Sequence, residues 1–200
     1  MRTVTRSLLA LAGTVFAVTL LATGCDDPAA EAPDTTDLTA AAEELCPLTW
    51  EWVKAVGETF NEAASDVSTM DGAGDRRERW FAAFEEMHRL NDALGEAVEP
   101  LGDDEVLAPL VAEMERDLPR SDEEIDALEA LFDEHPEIDD HPPQERTRQL
   151  IVRVEKVIDL PKPDLDEIDP SGALGAAFAD VPSCQHAMKG ADDGRIQSNG

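Results

Sequence analysis

The sequence predicts an all-α protein: an antiparallel helical bundle of about five helices, closed by one disulfide. Three observations carry this expectation. Ala, Leu and Glu are abundant, while aromatics are 4% of residues with no Tyr, which suits helices and disfavours a β-sandwich or barrel. Apolar residues recur at alternating three and four spacing in several consecutive segments. The connections between those segments are short, so antiparallel neighbours are the economical packing. With 200 residues, 42% of them apolar, the chain can bury one real core and one domain is expected.

Arg2 and Arg6 precede an unbroken apolar or small stretch from Ser7 to Ala22, the charged start and apolar core of a secretory signal peptide over residues 1–24. That stretch is too short and too weakly flanked for a stable membrane span. The junction Leu21-Ala22-Thr23-Gly24-Cys25 resembles the lipobox of bacterial lipoproteins, with Ala22 where Leu is commoner. The resemblance covers the first 25 residues alone. It implies cleavage before Cys25, a diacylglyceryl thioether on its sulfur, and a protein held by lipid at the extracytoplasmic face of a bacterial cell membrane. Residues 25–36, acidic and carrying Pro28 and Pro33, read as the lipidated N-terminus and a flexible tether.

The bundle itself is expected over residues 37–189. Its first helix runs from about Asp37 to Val67, with Pro47 expected to kink or split it. Val53, Val56, Phe60 and Val67 make one stripe, with Trp50 and Trp52 on its opposite edges and Cys46 at its border. After the turn Asp71-Gly72-Ala73-Gly74, Asp75 and Glu78 match a capping box that opens a second helix along Trp80, Ala83, Met87, Leu90 and Leu94, ended by Pro100 and Gly102. A third helix carries Leu107 to Leu118, with Pro109 in its first turn and Pro119 closing it. Ser121 with Glu124 then caps a fourth along Ile125, Leu128, Leu131 and Phe132. Residues 135–143 read as a rigid linker and Pro142 as the start of a fifth helix through Leu150, Ile151, Val154, Val157 and Ile158. β-Branching there also permits a strand, but the three and four spacing favours helix. An acidic loop from Asp164 to Asp169 leads to a short helical piece near Ala173 to Ala179, and residues 190–200 read as a disordered tail.

Three cysteines in an exported chain leave one over, and lipidation of Cys25 leaves the even pair Cys46 and Cys184, expected to form a disulfide. Other constellations are weak. His135, Asp139 and His141 share one linker, but both histidines precede proline as ordinary loop residues; Glu85 and His88 have a diiron-type spacing without a second copy. Asp164, Asp166 and Asp169 lack the Gly and distal Glu of a calcium loop. No phosphate loop, nucleophile elbow or zinc-protease His pair occurs, so no catalytic residue, metal ligand or cofactor is assigned and a non-enzymatic role is expected.

The formal net charge is −29, or −31 once the two arginines of the segment before Cys25 are set aside. Such a surface argues against nucleic acid as a partner and against contact with anionic headgroups by bulk charge. Arg76, Arg77 and Arg79 crowd a helix N-terminus and need either neighbouring carboxylates or an anionic ligand. The expected role is an interaction or spacing module of the envelope, touching the membrane through the Cys25 lipid and a protein partner through an edge centred on Trp50. The alternative is a binder of a small ligand or divalent cation in the bundle core or on the acidic face.

Overall fold

A computed structural model describes residues 35–135 and 143–188. The segments expected to be signal peptide, tether (up to Asp34) and tail, with Cys25, lie outside the described residues, as do Asp139 and His141. Every regular element among the described residues is helical: α1 (Thr35–Thr69), α2 (Ala73–Val98), a 3-10 turn (Glu99–Asp103), α3 (Ala108–Glu134), α4 (Pro143–Asp159), α5 (Leu165–Ile168), α6 (Ala173–Asp180) and α7 (Pro182–Met188).

The four long helices pack in sequence order, and their cross-links run in opposite directions. Trp52 of α1 meets Asn91 of α2 while Asp66 meets Arg79, so α1 and α2 are antiparallel. His88 reaches Asp122 and Arg77 reaches the Phe132 carbonyl, which makes α2 and α3 antiparallel too. Ser121 with Val157 and Glu113 with the amide of Asp164 do the same for α3 and the end of α4. Contacts between α1 and α4 close the bundle.

Apolar spacing explains what each helix buries. Val53, Val56, Phe60 and Val67 of α1 face Trp80, Phe84 and Met87 of α2 in one continuous core. At one end the aromatic rings gather: Phe60 and Trp80 lie 5.4 Å apart, Trp80 and Phe84 6.1 Å, and Phe84 and Phe132 6.0 Å. Such offset and tilted pairs add about 0.5–1.5 kcal/mol each beyond their buried area.

Helix α1 has 35 residues and α2 has 26, so at about 1.5 Å per residue α1 is longer by roughly 13 Å. Its excess is the N-terminal part, because Trp52 already lies beside Asn91, near the end of α2. Left bare, Leu38, Ala41, Ala42 and Leu45 would face water. Helices α6 and α7 cover them, burying Leu174, Phe178, Val181 and Cys184 in return. The Cys46–Cys184 disulfide, with Cα atoms 4.8 Å apart, fastens this cover, as cysteine parity predicts.

Helix boundaries correct the sequence reading in four places. Pro47 does not split α1, which runs unbroken through it; both Pro47 and Glu43, whose carbonyl loses its partner, are exposed to water. Pro119 does not close a helix either, and the expected third and fourth helices are one. Ser121 is therefore no cap: it is fully buried inside α3 and its hydroxyl donates to the Val157 carbonyl at 3.0 Å. Nor do Asp75 and Glu78 form a capping box, because α2 already begins at Ala73, behind Gly72, with no side-chain cap. Two short helices, α5 and α7, are too brief for periodicity to reveal. The helical reading of the fifth segment holds, as α4.

Candidate functional site

Halfway along the bundle a chain of buried polar groups crosses all four long helices. Asn91 of α2 is its hub, 2% exposed. The Asn91 carbonyl oxygen accepts from Trp52 Nε1 of α1 at 3.1 Å, and its amide donates to Ser121 Oγ at 3.0 Å and Asp122 Oδ1 at 2.8 Å on α3. Ser121 passes the chain on by donating to the Val157 carbonyl of α4. Toward the surface, His88 Nδ1 donates to the same Asp122 oxygen at 2.8 Å, and His88 Nε2 lies 3.4 Å from Asp126. Each buried member left without its partner would cost about 1–3 kcal/mol, so the layer is stable only when complete.

Serine, histidine and aspartate are the residue types of a hydrolytic triad, but their arrangement is not one. Ser121 Oγ is engaged by Asn91 and Val157, and both ring nitrogens of His88 face carboxylates. What the layer does chemically is hold helices.

Beside it opens a groove of about 320 Å³ between α2 and α3. Asn91, Asp92, Gly95 and Glu99 line one side; Glu115, Leu118, Pro119 and Asp122 line the other. Its depth has a local cause. Gly95 has no side chain, and a Cβ there would lie 3.5 Å from Leu118. Pro119 has no amide hydrogen, which frees the Glu115 carbonyl one turn earlier. The bases of α3 lie on another side: Arg116 and Arg120 bind the buried Asp117, and Arg116 also binds Glu113. The groove thus combines the apolar Gly95, Leu118 and Pro119 with the Asn91 amide and the carboxylates of Asp92, Glu99, Glu115 and Asp122. Among the described residues no three His, Cys, Asp or Glu side chains come together in a metal-holding cluster.

Trp50, the sequence candidate for a partner edge, is half-buried; the ring of His186 on α7 lies 5.0 Å from its own, tilted by 33°. The chain's C-terminal segment therefore covers one face of the indole. Trp52, the opposite edge of the stripe, is buried in the polar layer instead.

The arginines at the start of α2 find neighbours within the chain. Arg79 pairs with Asp66 at 2.7 Å, Arg77 with Asp133 and the Phe132 carbonyl, and Arg76 donates to the carbonyls of Met70 and Asp71. Glu85 is exposed, away from the His88 pairing. Of the calcium-like aspartates, Asp164 caps α5 through the amides of Asp166 and Glu167. Asp169 accepts from the Ser171 hydroxyl and amide and from the Leu174 amide; the Ser171 hydroxyl foremost, with the Leu174 amide next, holds its carboxyl below the usual aspartate range.

Asn91 and Asp122 escape the sequence reading and Ser121 enters it only as a helix cap, although a signal existed. Asn91 interrupts the run Met87, Leu94, Val98 at a position one face of the helix should bury, and Ser121 does the same between Leu118 and Ile125. Comparison with family models, curated proteins and solved structures finds no match to this chain.

Proposed function

We propose that this chain is a lipid-anchored protein of the bacterial envelope, on the extracytoplasmic side, that acts by binding or spacing other envelope components rather than by catalysis. The observation that carries the reading is the Cys46–Cys184 bridge. It consumes two of the three cysteines, favours an oxidising compartment, and leaves Cys25, behind Gly24, as the one available for acylation. Changing Cys25 to Ser should release the protein from membranes or leave it unprocessed; membrane fractionation together with the mass of the N-terminal peptide decides the matter, and no change in either refutes it.

For the partner-binding edge, Trp50 remains our candidate, now as a two-ring patch with His186. Loss of an envelope crosslink in Trp50→Ala and in His186→Ala supports that edge; crosslinks intact in both remove it.

A second reading, a binder of a small cation, is favoured by the groove between α2 and α3, which Asp92, Glu99 and Glu115 line together with Leu118 and Pro119. An organic cation with an alkyl stem suits a lining that mixes apolar and carboxylate groups better than a bare metal ion does. Thermal shift with spermidine and with calcium, on the wild type and on Gly95→Leu, separates these outcomes.

A further inference from the structure

The apolar faces of α1 to α4 are made of Leu, Val, Ala, Ile, Met and aromatic residues at three and four spacing, and such faces tolerate repacking after a one-turn slip. The polar layer does not. One turn either way along α3, the places of Ser121 and Asp122 are taken by Asp117 and Leu118 or by Ile125 and Asp126. The first pair offers Asn91 a carboxylate already bound to Arg116 and Arg120; the second offers an isoleucine in place of the hydroxyl. On α1 the residues one turn from Trp52 are Leu48 and Val56, neither able to donate. Even Thr49, nearby and buried, spends its hydroxyl on the Leu45 carbonyl.

We infer that the layer of Trp52, Asn91 and Ser121 is a register lock, a conformational device that admits one alignment of α1, α2 and α3 and rejects the slipped ones, with Ser121 reaching α4 through the Val157 carbonyl. Only in this alignment are all its buried donors satisfied at once, through contacts of 3.0–3.1 Å on three helix interfaces. A layer with this role specifies the arrangement while contributing less to stability than well-packed apolar side chains in the same space. It also fixes which residues of α2 and α3 face each other across the groove, since Asn91 and the Asp122 it donates to both line it.

The test replaces the whole layer with apolar groups in the full chain, as Trp52→Phe, Asn91→Leu and Ser121→Ala together, so that no buried donor is orphaned. Ser121→Ala alone serves as the companion, removing the two bonds of the hydroxyl while Asn91 keeps Asp122. For a register lock, the triple variant keeps its helical circular dichroism and a thermal midpoint at or above that of the wild type. Its amide NMR spectrum, however, shows several resonance sets or broad lines, whereas Ser121→Ala shows one set and a lower midpoint. A single sharp set in the triple variant overturns the inference, because the apolar pattern alone then selects the register. A triple variant that fails to fold also overturns it, because the layer is then a source of stability.

Discussion

Asp117 shows how a buried charge is tolerated in so acidic a chain. Burial pushes its carboxyl up, but hydrogen bonds from Arg116 and Arg120 outweigh this and hold it below the ordinary aspartate range. A carboxyl with a lowered folded-state value stabilises the protein fully above its unfolded value, about 3.9, and the contribution is lost as pH falls through the folded value. Asp117→Asn should therefore be less stable than wild type at neutral pH, and the gap should close below about pH 4. Urea midpoints measured for both proteins across pH check this; a gap that persists in acid contradicts it. Gly57 behaves oppositely. It is buried inside α1, and an added Cβ would meet nothing within 4 Å, so Gly57→Ala should gain about 0.5–1 kcal/mol by denaturant titration.

Among the elements, α3 shows where local and long-range signals compete. Pro119, followed by Arg120 and Ser121, has the form of a helix stop and a new cap, and local chemistry alone divides the segment there. Yet the apolar register of Met114, Leu118, Ile125, Leu128 and Phe132 runs through it, and burial of that stripe overrides the proline. Pro119→Ala restores the missing hydrogen bond and should raise the unfolding free energy by up to about 3 kcal/mol. An unchanged urea midpoint would mean that the bundle has already absorbed the strain. Pro47 in α1 teaches the same lesson. Long periodic segments were legible in the sequence, and so was the disulfide pair. The breaks at prolines were not, because they depend on what each helix face meets. The site was least legible: Asn91 and Ser121 stand out as polar residues in apolar stripes, but their bond requires knowing that α2 and α3 align with Gly95 opposite Leu118. No local pattern encodes that alignment.

Two opposing terms act on the molecule as a whole. A formal charge of −29 repels itself, and the repulsion between exposed carboxylates is screened over about 8 Å at physiological salt. Raising salt should therefore raise the thermal midpoint, most steeply at low ionic strength; a midpoint that falls with salt would show that the surface ion pairs outweigh the repulsion. Against it stands the disulfide, which spans 138 residues of sequence. Loop-closure models put a bridge of that span at about 4–5 kcal/mol, so Cys46→Ser with Cys184→Ser should melt well below the wild type. Both cysteines are buried, Cys46 completely, so mild reductant should act slowly on the folded protein.

That bridge also decides how the protein bears a pull. Tension applied between the two ends of the chain enters at α1 and leaves near α7, and the covalent link from Cys46 to Cys184 carries it directly across. Everything between them, from the aromatic cluster to the polar layer, lies outside the load path. At about 3.5 Å per extended residue, roughly 480 Å of chain stays hidden from the force. Among the described residues, only the first turns of α1 and the end of α7 can peel. A protein fixed at one end and tugged at the other thus behaves as a short strap with a rigid body hung on its side, and stretching experiments should find the long extension only after the disulfide is reduced.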